Sequence, residues 1–419
     1  MPKADVDLGY AIGLKPEEAI KYFESKGYTI GFNWHDVDAS AHATKFTVAG
    51  VLKQDILEDI SQAMQTHIDG GGTLRDFGRQ LTPVLTRKGW LADKARLVAD
   101  EDGVLEGKQL TPRRLRTIFE TNMQAAYGAG RYAEQMANAE FRPIWERVAV
   151  MDTHTRPLHA RLNGFTARFD DLVWQFMYPP DGHHCRCRVR ARTEADAARL
   201  GIEVKSWADE IVTVQQAWGP HDTREVKALR FNGELYTPDA GFGHNPGKGW
   251  LSSLGQRLLD KAATTTPAIA TQAVSDVLSE TAVLAAVTDD VRRWVDAVSV
   301  RQNTRGDLKR VGAVPPELFA RLEESGVQQP VVFSIHEEDV RQAPGPLWSE
   351  LPSLLRQRGD VWLDSDSLVW LLPGQTGVRA VRGIPADDGW RLSLMNGGAT
   401  VRQGEILTDG AKQLQVRVP

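Results

Sequence analysis

Cysteine is nearly missing from this sequence: Cys185 and Cys187 are the only two in 419 residues. No disulfide framework can therefore hold the fold, because two thiols separated by one residue close only a strained ring that staples nothing. No run approaches the roughly 18 consecutive apolar residues that cross a bilayer, so no membrane association is expected. The opening MPKADVDLGYAIG lacks the basic-then-apolar plan of a secretory leader, which predicts a cytoplasm-like compartment. Positive charge is not in excess either. Fifty Lys and Arg against 55 Asp and Glu leave a formal charge of −5, so no global field draws the chain to nucleic acid and any such contact is local. The P-loop, the dinucleotide fingerprint, the G-x-S-x-G elbow and H-E-x-x-H are all absent, and the chemistries they carry lose their footing.

What is present is enough apolar residue for packed cores, 42% of the chain, at a length that predicts two or three folded units. The first part reads as helices. Pro16–Ser25 starts with proline in the first turn and stops at Gly27. Leu52, Ile56, Leu57, Ile60, Met64 and Ile68 recur at helical spacing before Gly70, Gly71 and Gly72, and Thr73 can cap a following helix that Pro83 and then Gly89 interrupt. Thr111-Pro112 opens the longest helix. From Trp145 the period shortens to that of strands, and the stretch Cys185 to Ala191 alternates so that both thiols share one face while Arg186, Arg188, Arg190 and Arg192 share the other. The expected class is α+β: a mainly helical N-terminal domain over residues 1–205 with a small β-ribbon carrying the His/Cys motif, an extended connector with short helices over 206–285, and a separate α+β domain over 286–419.

The histidines supply the sharpest signal. His154, His159, His183 and His184 crowd into the same thirty-odd residues as both cysteines. His159, Cys185 and Cys187 are three soft or borderline metal donors, and Asp152, His154, His183 or His184 could complete a tetrahedral zinc site. The other reading makes the cysteines small buried hydrophobes, with the histidines hydrogen-bonded elsewhere. A zinc deaminase is disfavoured, since neither H-x-E nor P-C-x-x-C is present. A metallohydrolase centred on His159 is a weaker alternative. The four arginines read equally as phosphate grips or as a solvated strand face.

These residues resemble the minor head proteins of tailed phages, the family named after the F protein of phage Mu. The resemblance is carried by Asp152, Thr155, Arg156, His159, Leu162, Gly164, Trp174, Pro179, Pro180, Gly182, Cys185, Arg186 and Cys187 in matching order and spacing. It is supported by Phe46–Gly50, Thr121-Asn122, Ala125–Tyr127, Gly130–Tyr132 and Asn245–Gly247, and it covers about the first 250 residues. His154 replaces the family's usual arginine. Relatives with a fuller metal motif carry a cysteine where this chain has Arg156 and a histidine where it has Gly182, so His159, Cys185 and Cys187 remain as carried-over ligands, with Asp152 or His154 as a further one. The resemblance implies a protein of few copies per virion, inside the head and in the host cytoplasm during assembly. Its implied partners are the portal protein, the major capsid protein and packaged DNA, and its implied work is head assembly with DNA packaging or ejection.

Family members are often fused to nuclease-like or toxin-like C-terminal domains, and Val331–His336 followed by Trp348–Leu355 distantly resembles one. An active ribonuclease of this kind would use His336 as general acid or base, with Arg341, Lys309 or Arg310 on phosphate. The plainer reading is a lone histidine at a strand end, and an enzyme is not the favoured class.

Overall fold

Long helices build much of the first part of the chain, each for a reason visible in its residues. In a computed structural model that describes residues 21–23, 26–28, 45–327, 331–356, 360–373, 378–387, 389–400 and 406–414, helix α1 is Gln54–Gly70 and buries Ile56, Leu57, Ile60, Ala63, Met64, His67 and Ile68 along one stripe. It stops at Gly71, which takes φ +66°. Gly72 has to be glycine for a steric reason, because a Cβ there would lie 2.2 Å from the His67 ring. Helix α2, Leu74–Arg87, opens on a capping box in which Thr73 and Asp76 satisfy each other's backbone. Contrary to expectation it runs through Pro83, since Phe77, Leu81 and Leu85 stay buried on one face across the proline. Helix α3, Pro112–Ala137, is capped by Thr111 and has proline in its first turn. Of the expected helix at Pro16–Ser25, only Lys21–Phe23 is described and helical; the rest lies outside the described residues.

Short strands connect these helices. Gly27–Tyr28 (β1) pairs in parallel with Lys45–Phe46 (β2). Leu97–Ala99 (β3) pairs antiparallel with Leu105–Lys108 (β4). A three-stranded antiparallel sheet then has Ile144–Val148 (β5) in the middle, flanked by Thr166–Arg168 (β6) and Arg188–Arg192 (β7). Between β5 and β6 sits the five-residue helix α4, Pro157–Arg161. Helix α5, Glu194–Arg199, follows β7 and is capped by Thr193, whose side chain accepts the Asp196 N–H.

The span 206–285 differs from the expected extended connector. Ile211–Trp218 (β8) and Asp222–Phe231 (β9) pair antiparallel along their length, and Glu234–Tyr236 (β10) adds to β9. The Trp218-Gly219-Pro220 sequence that reads as a loosened segment is the turn of this hairpin, with Gly219 at φ +81°. In β8 Thr213 and Gln215 are exposed between half-buried neighbours, a faint alternation, and in β9 Thr223, Arg224, Glu225 and Lys227 are exposed with no alternating stripe. Helices α6, Pro246–Ala262, and α7, Pro267–Ser279, occupy most of the remainder.

The chain divides into two compact units, Met1–Trp250 and Leu251–Pro419, the division falling inside α6. In the second unit helix α8 is Thr281–Val300. A seven-stranded sheet has the order β11-β12-β16-β15-β14-β13-β17. Its strands are Leu308–Ala313 (β11), Val332–His336 (β12), Asp360–Asp364 (β13), Ser367–Pro373 (β14), Val378–Ala386 (β15), Gly389–Leu394 (β16) and Lys412–Leu414 (β17). Neighbours are antiparallel except β12 and β16. Helices α9, Pro316–Glu324, α10, Glu337–Gln342, and α11, Leu347–Leu354, complete it. Phe333, Trp370 and Trp390 are buried in its core. The α+β class is as expected. No described helix is long and apolar enough to cross a membrane.

Candidate metal centre

Two loops bring the thiols and the imidazole together. After β5 the chain turns back through α4 to Gly164, whose φ of +82° lets its N–H reach the Arg147 carbonyl at 2.8 Å. This closure fixes His159 near the end of α4. The second loop ends in a turn in which the Cys185 N–H meets the Gly182 carbonyl at 3.2 Å, and His184 takes φ +60°. Cys185 and Cys187 then lie just ahead of β7, alternating inward with Val189 as the sequence predicts. The two cysteines pack with Ala149 and are 3% and 7% exposed.

His159 Nδ1 lies 3.7 Å from the Cys185 sulfur and 3.6 Å from the Cys187 sulfur. Among the described residues these three form the one cluster whose His, Cys or carboxylate ligand atoms all lie within 4.8 Å of one another. The spacing fits a metal. Zinc bonded to sulfur at about 2.3 Å and to nitrogen at about 2.0–2.1 Å, at tetrahedral angles, sets those atoms about 3.6 Å apart. Two thiolates would also balance the charge of a divalent ion, which matters in so dry a place.

Behind the centre is a buried polar network that sequence reading missed. Arg147, on β5, is fully buried and forms an ion pair with Asp181, itself 1% exposed. Its guanidinium also donates to the Met177 carbonyl at 2.7 Å and to the Tyr236 hydroxyl at 3.4 Å. The Tyr236 hydroxyl donates to Asp181, and Asp181 Oδ2 lies 4.0 Å from His159 Nδ1. Cys187 is pushed down to about 6, first by its hydrogen bond with Cys185 and then, against the opposing effect of burial, by the Arg147 charge. That same pairing, together with burial, pushes Cys185 up. Asp181 sits inside the P-P-D-G-H-H stretch and could have been noticed. Tyr236 carries no signal, because it lies far beyond the motif in a strand of three residues.

The remaining candidates are placed elsewhere. Asp152 is gripped by Arg186 through two hydrogen bonds of 2.7 and 2.5 Å, which hold its carboxyl well below the usual carboxylate range. His154 is exposed and donates its backbone N–H to Asp152. His183 meets Thr121 at 3.2 Å and stacks edge-on with Phe242, and His184 pairs with Glu120. Only His159, of the four clustered histidines, faces the thiols. The arginine face is largely spent inside the fold: Arg186 on Asp152, and both Arg190 and Arg192 on Glu146.

Arg156 and Gly182, the positions at which fuller motifs carry further ligands, turn out to be neighbours. Arg156 bridges Asp239 and the His183 carbonyl, both at 2.6 Å. A Cβ on Gly182 would lie 2.8 Å from that guanidinium and 2.1 Å from Asp239. An ion pair fills the space.

In the second unit His336 stands at the N-cap position of α10 without a side-chain capping bond, and its Nε2 is buried with no hydrogen-bond partner among the described residues. The cations suggested for phosphate are engaged: Lys309 pairs with Asp290, Arg310 with Asp260 at 2.8 Å, and Arg341 donates to the Arg301 carbonyl at 2.6 Å.

Comparison with known proteins places this geometry. The family model described as Phage Mu protein F like protein matches residues 55–190, the span that holds α1–α3 and the whole His/Cys centre. The putative capsid assembly protein F of Escherichia phage Mu is 41% identical over 254 residues, covering 59% of this chain and 57% of that protein. The Mu-like prophage FluMu F protein of Haemophilus influenzae is 38% identical over 224 residues, covering 52% and 53%. The chain thus spans a little over half the length of these curated relatives. No solved structure matches.

Proposed function

With a Mu protein F-like domain over residues 55–190, we propose that this chain is a minor head component of a tailed phage, acting in capsid assembly. The observation that carries the reading is the coincidence of the matched span with the buried centre, joined to a relative whose name is that of a capsid assembly protein. The chemistry of the centre supports a structural role. His159, Cys185 and Cys187 are all buried, which leaves substrate no open approach, and as three donors they are one short of the four that a structural zinc site takes from the protein. Zinc held by these three residues would tie α4 to the entry of β7 and so rigidify the face that the head engages. Within this reading the protein works inside the head, beside the portal and against the major capsid protein, and contributes to DNA packaging or ejection.

The test is genetic. Deleting the chain from its prophage should leave induced cells without DNA-filled heads, with rescue by the gene supplied in trans. Undiminished yield of filled heads from the deletion contradicts the proposal.

A further inference from the structure

The hairpin of β3 and β4 is held to the fold by one strand only. Gly107 of β4 bridges to Val51, the Leu52 N–H donates to the Glu106 carbonyl at 2.9 Å, and the Lys108 N–H donates to the Gly50 carbonyl at 2.7 Å. Among the described residues no strand pairs with the other edge of β3. That edge is protected by its shortness and by the charges of its flanking residues, but the strand itself reads Leu97-Val98-Ala99, with no proline or charge within it, and Leu97 is 66% exposed. Unpaired backbone groups beside exposed apolar side chains form a template for another strand.

The sequence around the edge says which strand. An antiparallel copy of the segment, centred so that Val98 faces Val98, sets Leu97 against Ala99, Arg96 against Asp100 and Lys94 against Asp102. Over Arg96–Asp100 every opposition is apolar on apolar or cation on anion; beyond it Ala95 falls against Glu101, and Lys94 and Asp102 lie in a bend and a turn outside the strand. Arg96 and Asp100 lie on the face of Val98, while Leu97 and Ala99 lie on the opposite face beside Leu105, the register partner of Ala99. Among the described residues neither Lys94 nor Arg96 has a carboxylate at ion-pair distance, and both are exposed. Asp100 accepts the N–H groups of Asp102 and Val104 through Oδ1, at 3.0 and 2.8 Å, which leaves Oδ2 for a cation.

We infer that the β3 edge is a self-complementary docking strand for a second copy of this chain, forming a two-fold, four-stranded sheet in the order β4-β3-β3-β4. Such a contact is isologous: each Arg96 meets the other copy's Asp100, giving two such pairs. It is also short, so the association is weak and depends on concentration and salt.

Sedimentation of the full chain over a concentration series reads this directly. The wild type is expected to show a monomer–dimer equilibrium that weakens as salt rises. Arg96→Glu should raise the dissociation constant at least about tenfold by setting like charges opposite each other. Arg96→Glu combined with Asp100→Arg should restore dimerisation. A positional check keeps the register falsifiable. Directly opposed residues of antiparallel strands have Cα atoms about 4.5–5.5 Å apart, within disulfide range. Val98→Cys should therefore give a cross-linked dimer on mild oxidation, and Glu101→Cys should not. A monomer at every concentration, a dimer indifferent to Arg96→Glu, or equal cross-linking at both positions overturns the inference. So does association that requires a different head protein.

Discussion

Arg147 is the residue that joins the centre to the rest of its unit, touching Asp181, Tyr236 and the Met177 carbonyl from a fully buried position. Arg147→Met leaves Asp181 buried without its counter-charge and should destabilise the protein by about 3–5 kcal/mol, read by denaturant unfolding. Tyr236→Phe removes a single hydroxyl and should cost less, about 1–3 kcal/mol, since the Arg147 pair with Asp181 persists. The ligands have their own signature. Purified wild type should carry about one zinc per chain, and Cys185→Ser should lose it with a fall in melting temperature. A metal-free wild type with unchanged stability on chelation would leave the thiols as core residues.

Glu146 gives a pH-dependent prediction at the same scale. Burial disfavours its charged form, yet the hydrogen bonds from Arg192 and Arg190 win and hold its carboxyl below the ordinary carboxylate value. A carboxyl depressed in the folded state contributes stability that is present above its unfolded value and is lost as pH falls through the folded one. The stability gap between wild type and Glu146→Gln should therefore be largest near neutrality and shrink in acid. A gap that widens in acid contradicts this account.

Among the elements, the loop from Pro179 to Cys185 is set by one small residue. Gly182→Ala would drive a methyl into Asp239 and Arg156, so it should displace that ion pair and lower the melting temperature, and Gly182→Ala with Asp239→Ala should recover part of the loss. The long amphipathic helices were legible because their buried stripes, such as Ile56, Ile60, Met64 and Ile68, repeat at the helical period. Cys185 and Cys187 were legible because alternation survives in their burial. The β8–β10 sheet was not, since β8 alternates only between exposed and half-buried positions and β9 is exposed over most of its length, and its part in closing the centre through Tyr236 depends on tertiary contact alone. Asp152 misled for a similar reason: a carboxylate near a thiol pair reads as a ligand until Arg186 is seen to hold it.

At the scale of the whole molecule, the two units carry different amounts of information. The first holds a buried centre, a matched domain and a strand edge left unpaired among the described residues. In the second, the cations around His336 are already paired within the sheet and helices. Incubating the full chain with RNA should therefore give no cleavage above that of His336→Ala. The central claim is that this polypeptide is built into phage heads, and quantitative mass spectrometry of purified heads, with and without their portal, addresses it most directly. The account predicts the chain in intact heads at a low, fixed ratio to the major capsid protein, and its loss from heads that lack the portal. Heads of full mass and normal DNA content that contain none of it would contradict the account.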